Sequence, residues 1–326
     1  MLDKKVQEIA DAAFQGAVLN ENDIEYLLSF DAYSTEVAYV CAVVRQMTYR
    51  SSKGRGFIHT QIGVDQLPCP INCAYCSFAK QNVDYSYDEK YIVSTKDIVH
   101  YAQIFDECGV QLISLMATAA LPLARYLEMI NAVRTNISND TPIMANYRDV
   151  TEEEAQKITD AGANIYYHAR RLPEGILSNV DPKTRFQTMR NVKKVGMALM
   201  SGVDPLWHNA PAEMVAKCIC ELPEFEPYCV GACGVVPLKN HELKDYKRPL
   251  TGEIRYVGAL SRLVCENTAI MGGAANALWV DAGCDARKRD YGMDDDHLRK
   301  KIAQAKNALT ADGWVVPDRA VWDIFS

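Results

Sequence analysis

Apolar residues recur at three- and four-residue spacing through the first fifty or so positions. "DKKVQEIADAAFQG" and "NENDIEYLLSF" each carry an apolar stripe, and Asn20 or Asn22 can cap the second. This predicts a helical N-terminal extension over 1–52. After it, short apolar or β-branched runs alternate with helical periods, the signature of βα units and a parallel sheet. "GFIHTQIGV" reads as the first strand, and "TKDIVHYAQIFDECG" as an amphipathic helix ending at Gly109. "VQLISLM", "TPIMANY", "ANIYYHA", "MALMSGV" and "YCVGACGVV" then each precede a helical stretch, with "TAIMGG" and "NALWVDAG" as weaker strands. About eight strands favour a (β/α)8 TIM-type barrel over 53–292 rather than an open sheet. The last two strands sit close together, so the final quarter is expected to be irregular. "DDDHLRKKIAQAKNALTADG" predicts a charged helix within a C-terminal segment, 293–326.

No repeat of solenoid length, low-complexity run or long linker interrupts this order. A length of 326 residues suits one barrel, and 48% hydrophobic with 24% charged residues is ordinary for a globular chain. No apolar run of membrane-spanning length is present, and acidic residues interrupt "MLDKKVQEIADAAFQG" where a signal peptide needs an apolar core. The expectation is a cytoplasmic protein without a membrane partner. A net charge of −7 argues against a nucleic-acid footprint, which needs a basic face, and so favours a small-molecule partner. Eleven cysteines in such a chain do not read as a disulfide framework, and that load of thiol would suit an anaerobe.

Cys69, Cys73 and Cys76 lie within eight residues, in "QLPCPINCAYCSFAKQN", directly after the first predicted strand. In a barrel that is the C-terminal face, where sites are built. Zinc would need a fourth ligand, and the paired Cys-x2-Cys repeats of structural zinc modules are missing. Three thiolates on one loop can instead hold three irons of a [4Fe–4S] cluster and leave the fourth open. Pro70 restricts the loop and Tyr75 places an aromatic ring beside it. Three packed cysteines, or a zinc knuckle completed from afar, are the alternatives.

The Cys-x3-Cys-x2-Cys loop with an aromatic at Tyr75 resembles that of the radical S-adenosylmethionine (radical SAM) superfamily. The resemblance implies a [4Fe–4S] cluster on the three cysteines, with S-adenosylmethionine (SAM) chelated at the open iron. Reductive cleavage of SAM then gives a 5′-deoxyadenosyl radical that abstracts hydrogen from a substrate. A low-potential electron donor such as a flavodoxin or ferredoxin is implied as a partner. The helical N-terminus, "ITDAGANIYYH" and "TRFQTMRNVKKVGMALMSG" are similar in order and spacing to the biotin synthase-like branch, which includes biotin synthase, a related hydrogenase maturase and methylornithine synthase. Within that pattern Arg185 matches an arginine that pairs with the SAM carboxylate, a task suited to a bidentate guanidinium. Met116, Ala117 and Thr118, in "LISLMATAA", stand where the branch has a backbone edge for the SAM amino group, without its acidic residue. In "MSGVDPL", Ser201, Gly202 and Val203 resemble the adenine-contacting segment.

Biotin synthase holds a second, sacrificial cluster, and Leu115, Met144 and Met200 stand where its ligands would be. None is a thiolate donor, so the ordinary sulfur-inserting reaction is disfavoured. A non-standard auxiliary cluster on Cys229, Cys233 or Cys284 would revive a biotin- or lipoyl-type synthase. A cluster-carrying scaffold is the non-enzymatic alternative.

Polar residues at predicted strand ends outline a substrate pocket: Asn146, Tyr147 and Arg148; Tyr167, His168, Arg170 and Arg171; Asp204 and His208; Lys239 and Asn240; Asp281, Asp285 and Arg287. His168, Arg170 and Asp204 are the expected catalytic residues. His168 and the two arginines replace the acidic or amide residues that the branch uses for ribose, and suggest a carboxylate- or phosphate-bearing substrate.

Overall fold

The computed structural model describes residues 2–172, 180–237, 244–266, 268–271, 277–281 and 294–318, with backbone alone at 270, 271 and 277–281. Eight parallel strands close a barrel in sequence order: β1 Phe57–Gly63, β2 Leu112–Met116, β3 Ile143–Asn146, β4 Ile165–Tyr167, β5 Ala198–Leu206, β6 Cys229–Gly234, β7 Ala269–Met271 and β8 Ala277–Asp281. The (β/α)8 expectation therefore holds. Among the described residues β7 meets β8 at Met271↔Ala277, and β8 pairs with β1 over five rungs.

Helices cover the outside: α1 Lys4–Phe14, α2 Glu21–Leu28, α3 Thr35–Ser52, α4 Thr95–Glu107, α5 Leu123–Arg134, α6 Glu152–Asp160, α7 Pro182–Lys194, α8 Ala212–Glu221, α9 Thr251–Val264 and α10 Asp295–Ala311. Local chemistry starts them where the sequence suggests. Asn20 accepts from the Asp23 N–H while Asp23 reaches back to Asn20, closing a capping box on α2, and Thr151 and Glu154 repeat the device on α6. Gly109, at φ +68°, takes the left-handed turn that lets the chain leave α4 for β2. Among the described residues no helix is long and apolar enough to cross a membrane.

Two apolar layers hold the helices. One joins the outer faces of β1 to β5, through Ile58, Ile62, Ile113, Leu115 and Leu199, to α4 to α7 and α10. The other joins Val203 and Leu206 of β5 and Val230 and Ala232 of β6 to α8, α9 and the three N-terminal helices.

Inside the barrel lies a third cluster. Phe57, Leu112, Met144, Ile165, Met200, Cys229 and Ala269, one from each of β1 to β7, plug its lower end. Side chains on a strand alternate between faces, so this plug sets the phase. His59, Gln61, Ser114, Met116, Asn146, Tyr167, Gly202, Asp204, Gly231 and Cys233 share its inward face, above it. Gly202 and Gly231 are register partners, and a Cβ on Gly202 would lie 2.6 Å from the Gly231 carbonyl oxygen, so the two backbones need glycine to come this close.

Candidate active site

The three cysteines follow β1 on a loop tied to itself by its backbone. The Cys69 N–H donates to the Phe78 carbonyl at 2.7 Å, and the Lys80 N–H returns to the Cys69 carbonyl at 2.9 Å. Asn72 takes φ +54° at the turn, and its side chain accepts from the Gln81 N–H. Asn82 Nδ2 donates to the Cys76 carbonyl at 2.8 Å. All three thiols are half-buried. They line one cavity of about 200 Å³ with Asp65 and Tyr75, the post-β2 segment from Met116 to Ala119, and Asn146 to Arg148 after β3. Arg171, after β4, and Arg185 complete the wall.

The donors fit a cluster better than one ion. The described lining of the cavity holds no histidine, and its one carboxylate, Asp65, is engaged by Thr118, so the three thiols have no free fourth ligand there for a tetrahedral zinc. Soft thiolates spread round a cavity are the donors that iron–sulfur clusters take. Burial pushes the Cys76 thiol up to about 11, opposed by the backbone N–H of Phe78. Burial likewise raises Cys69, against N–H groups of Ile71 and Ala119. Bound iron would displace those protons and take the N–H groups as support for the sulfurs. Tyr75, beside Cys76, packs with Ala74, Val235, Trp207 and Tyr246, which fixes the loop against the segment that follows β5.

Arg185 enters the cavity from the first turn of α7 and is held from behind. Its Nη1 donates to Asp149 Oδ2 at 3.1 Å and lies 3.4 Å from His168 Nε2. Asp149 Oδ1 in turn meets His168 Nε2 at 2.8 Å and accepts from the Thr188 hydroxyl at 3.1 Å. Burial alone would raise the Asp149 carboxyl; the hydrogen bond from His168 and the charge of Arg185 outweigh it and hold it below the usual carboxylate range. Burial also lowers the His168 imidazole, with Asp149 pulling the other way.

Several sequence-predicted residues take other places. His168, expected to be catalytic, does not line the cavity and stands behind Arg185. Asp204 is also one step back, where it pairs with Arg171 and accepts from the Tyr167 hydroxyl at 2.7 Å. Arg170 lies outside the cavity altogether. It meets Glu221 at 2.5 Å in an outer crevice lined also by Phe186, Met189 and Phe225. Its neighbour Arg171 reaches inward because consecutive positions face opposite ways. The same rule turns Ser201 and Val203 outward: Ser201 lines the outer crevice and Val203 packs under α8 and α9. Only their backbone stands at the level where Gly202 and Asp204 face inward. His208 pairs with Glu253 at 3.0 Å, beside a separate cavity. Of the auxiliary-ligand positions, Leu115 faces outward, while Met144, Met200 and Cys229 belong to the lower plug. Lys239, Asn240, Cys284, Asp285 and Arg287 lie outside the described residues, and Asp281 is described by its backbone alone.

Met116, Ala117 and Thr118 do line the cavity, and a carboxylate from another strand end meets them. Asp65, just past β1, accepts from the Thr118 hydroxyl at 2.6 Å and the Thr118 N–H at 2.8 Å. Burial pushes its carboxyl up to about 6, against those hydrogen bonds and one from the Leu67 N–H. Its place at a strand end was the available sequence signal.

No protein-family model matches the chain, and no curated protein matches it in sequence. Solved structures do. HydG, a maturase of the [FeFe]-hydrogenase, is similar at TM-score 0.77 and 14% identity, over 97% of this chain and 76% of its own. The HydG of Carboxydothermus hydrogenoformans gives 0.77 at 16%, over 96% and 79%. Methylornithine synthase (PylB) also gives 0.77 at 16%, over 95% and 97%. The fold of these proteins thus extends over nearly the whole chain.

Proposed function

We propose that this chain is a radical SAM enzyme that acts on a small molecule of cofactor or amino-acid biosynthesis. The observation that carries the reading is the cavity itself, where the Cys-x3-Cys-x2-Cys thiols and the buried, carboxylate-backed Arg185 meet at the C-terminal mouth of the barrel. The fold shared with a methylornithine synthase and with HydG supports it.

Cys69, Cys73 and Cys76 would hold a [4Fe–4S] cluster, which when reduced supplies the electron that cleaves SAM to a 5′-deoxyadenosyl radical for hydrogen abstraction. Arg185 orients the SAM carboxylate, and Asp149 with His168 keeps its guanidinium aimed at the cavity. Asp65 fixes the segment after β2 through Thr118, so that its backbone edge is set for the amino group. Tyr75 and Trp207 cover the loop and restrict water. Arg148 and Arg171 line the wall already paired with Glu154 and Asp204, so neither brings an uncompensated charge to a substrate. A flavodoxin or ferredoxin is the proposed electron donor.

The test is anaerobic loading with iron and sulfide, reduction, addition of SAM and chromatography for 5′-deoxyadenosine. About four irons per chain are expected, with product that falls to background in Cys73→Ala. Failure of the loaded protein to bind SAM refutes the proposal. An iron count near twice that value would point to sulfur insertion with an auxiliary cluster.

A further inference from the structure

Between the cysteine cavity and the apolar plug lies a stretch of lumen whose polar groups the reaction outlined above does not use. His59 and Ser114 sit there on adjacent strands, 3% and 0% exposed. In register, His59 is opposite Leu112 and Ser114 opposite Gln61, so the two lie two rungs apart on the same inward face. Neither ring nitrogen of His59 nor the Ser114 hydroxyl has a hydrogen-bond partner among the described residues. Buried polar groups in folded proteins are nearly always paired, and one left unpaired is a standing cost. Two together on one inward face point to a missing partner.

Side-chain contacts link this level to the edge of the cavity. Gln61, next inward on β1, donates to Met116 Sδ at 3.1 Å, and Met116 lines the cavity. A column of inward groups therefore descends from the cysteine loop to His59. β5 and β6 contribute Gly202 and Gly231 to the inward face above the plug, so no side chain from those rungs enters the lumen.

We propose that His59 and Ser114 form a deep subsite for an uncharged hydrogen-bonding group of the substrate, a hydroxyl or a carboxamide, while the reactive end reaches up to the cysteine cavity. The placing of the reactive end rests on the radical SAM reading; the subsite itself does not. Burial holds the imidazole neutral, with its pKa brought down to about 3. A neutral imidazole offers one donor and one acceptor, and a hydroxyl offers both. Neither brings a charge to balance a carboxylate or phosphate. This differs from the charged substrate expected from Arg170 and Arg171, each of which faces a carboxylate of the protein itself.

The test uses the full cluster-loaded, unreduced chain with ¹⁵N-labelled imidazoles and acetamide as the probe. Six histidines make a simple spectrum, and the His59 resonance is the one lost in His59→Gln. We expect that resonance to shift saturably with acetamide and Ser114→Ala to weaken the response roughly fivefold, the worth of one hydrogen bond. Ser114→Ala removes a single oxygen and keeps the test open should His59→Gln fail to fold. A drift shared by all six histidines, or no response at His59, overturns the subsite. 5′-Deoxyadenosine formation is measured separately on the same protein. Its failure alongside an intact His59 response would sink the radical SAM reading and leave the subsite standing, and the reverse pattern would remove the subsite alone.

Discussion

Two levels of one barrel, two residues apart along the same strands, differ in almost every physical respect. The lower, among the described residues, is seven apolar side chains packed against one another, Phe57 to Ala269. The upper holds His59, Ser114, Gln61, Asn146, Tyr167 and Asp204 with two glycines, some of its groups paired and two not. The difference shows how one sheet divides its labour. The lower level contributes stability through area removed from water, whereas the upper keeps polar groups inside at the cost of stability. Substitutions should therefore act oppositely at the two levels.

The largest effect is expected below. Leu112→Ala opens a cavity in the plug and should cost about 2–5 kcal/mol, read from denaturant unfolding. 5′-Deoxyadenosine formed per folded molecule should stay near wild type; a loss of activity with no loss of stability would break the comparison. Next comes the mouth of the upper level. Arg185→Ala removes hydrogen bonds to a charged group and should weaken SAM binding by about 1.5–3 kcal/mol by calorimetry, with iron content unchanged. Asp149→Asn should move SAM affinity the same way by less, because it loosens the guanidinium without removing it.

The last effect is a slope, modest over any one pH unit. His59 is held near pKa 3 when folded and titrates at about 6.5 when unfolded. Below pH 6.5 the unfolded chain binds a proton that the folded chain refuses, so stability falls as pH drops from about 6.5 towards 3. The contribution approaches about 1.4 kcal/mol per pH unit. His168, also lowered by burial, adds to the slope. Subtracting the pH dependence of His59→Leu from that of wild type isolates the His59 share. No difference between the two would mean that His59 is not buried neutral.

The strands were legible because apolar runs and helical periods alternate cleanly, and the cysteine loop because its spacing suits few other donor sets. Strand phase was not. Arg170 and Arg171 read alike in sequence, yet one faces Glu221 outside and the other the cavity. Ser201 to Asp204 read as one stretch of candidate positions, yet only Gly202 and Asp204 face inward. An error of one residue exchanges the faces of a strand, and buried strands of a parallel barrel lack the polar–apolar alternation that would reveal it. Pairings between strands were hidden for a related reason. Asp65 serves Thr118 across 53 positions and Asp149 serves Arg185 across 36, contacts that arise only once neighbouring strands pair.

The glycine rung between β5 and β6 bears on how this scaffold can change. With the Gly231 carbonyl 2.6 Å from where a Cβ at 202 would sit, a saturation library at that codon should return glycine almost alone. The opposite wall carries no such restriction, since His59 and Ser114 are held by few bonds that a replacement would forfeit. New substrate preferences in this barrel are thus most accessible to selection on β1 and β2, against a β5–β6 wall that does not vary.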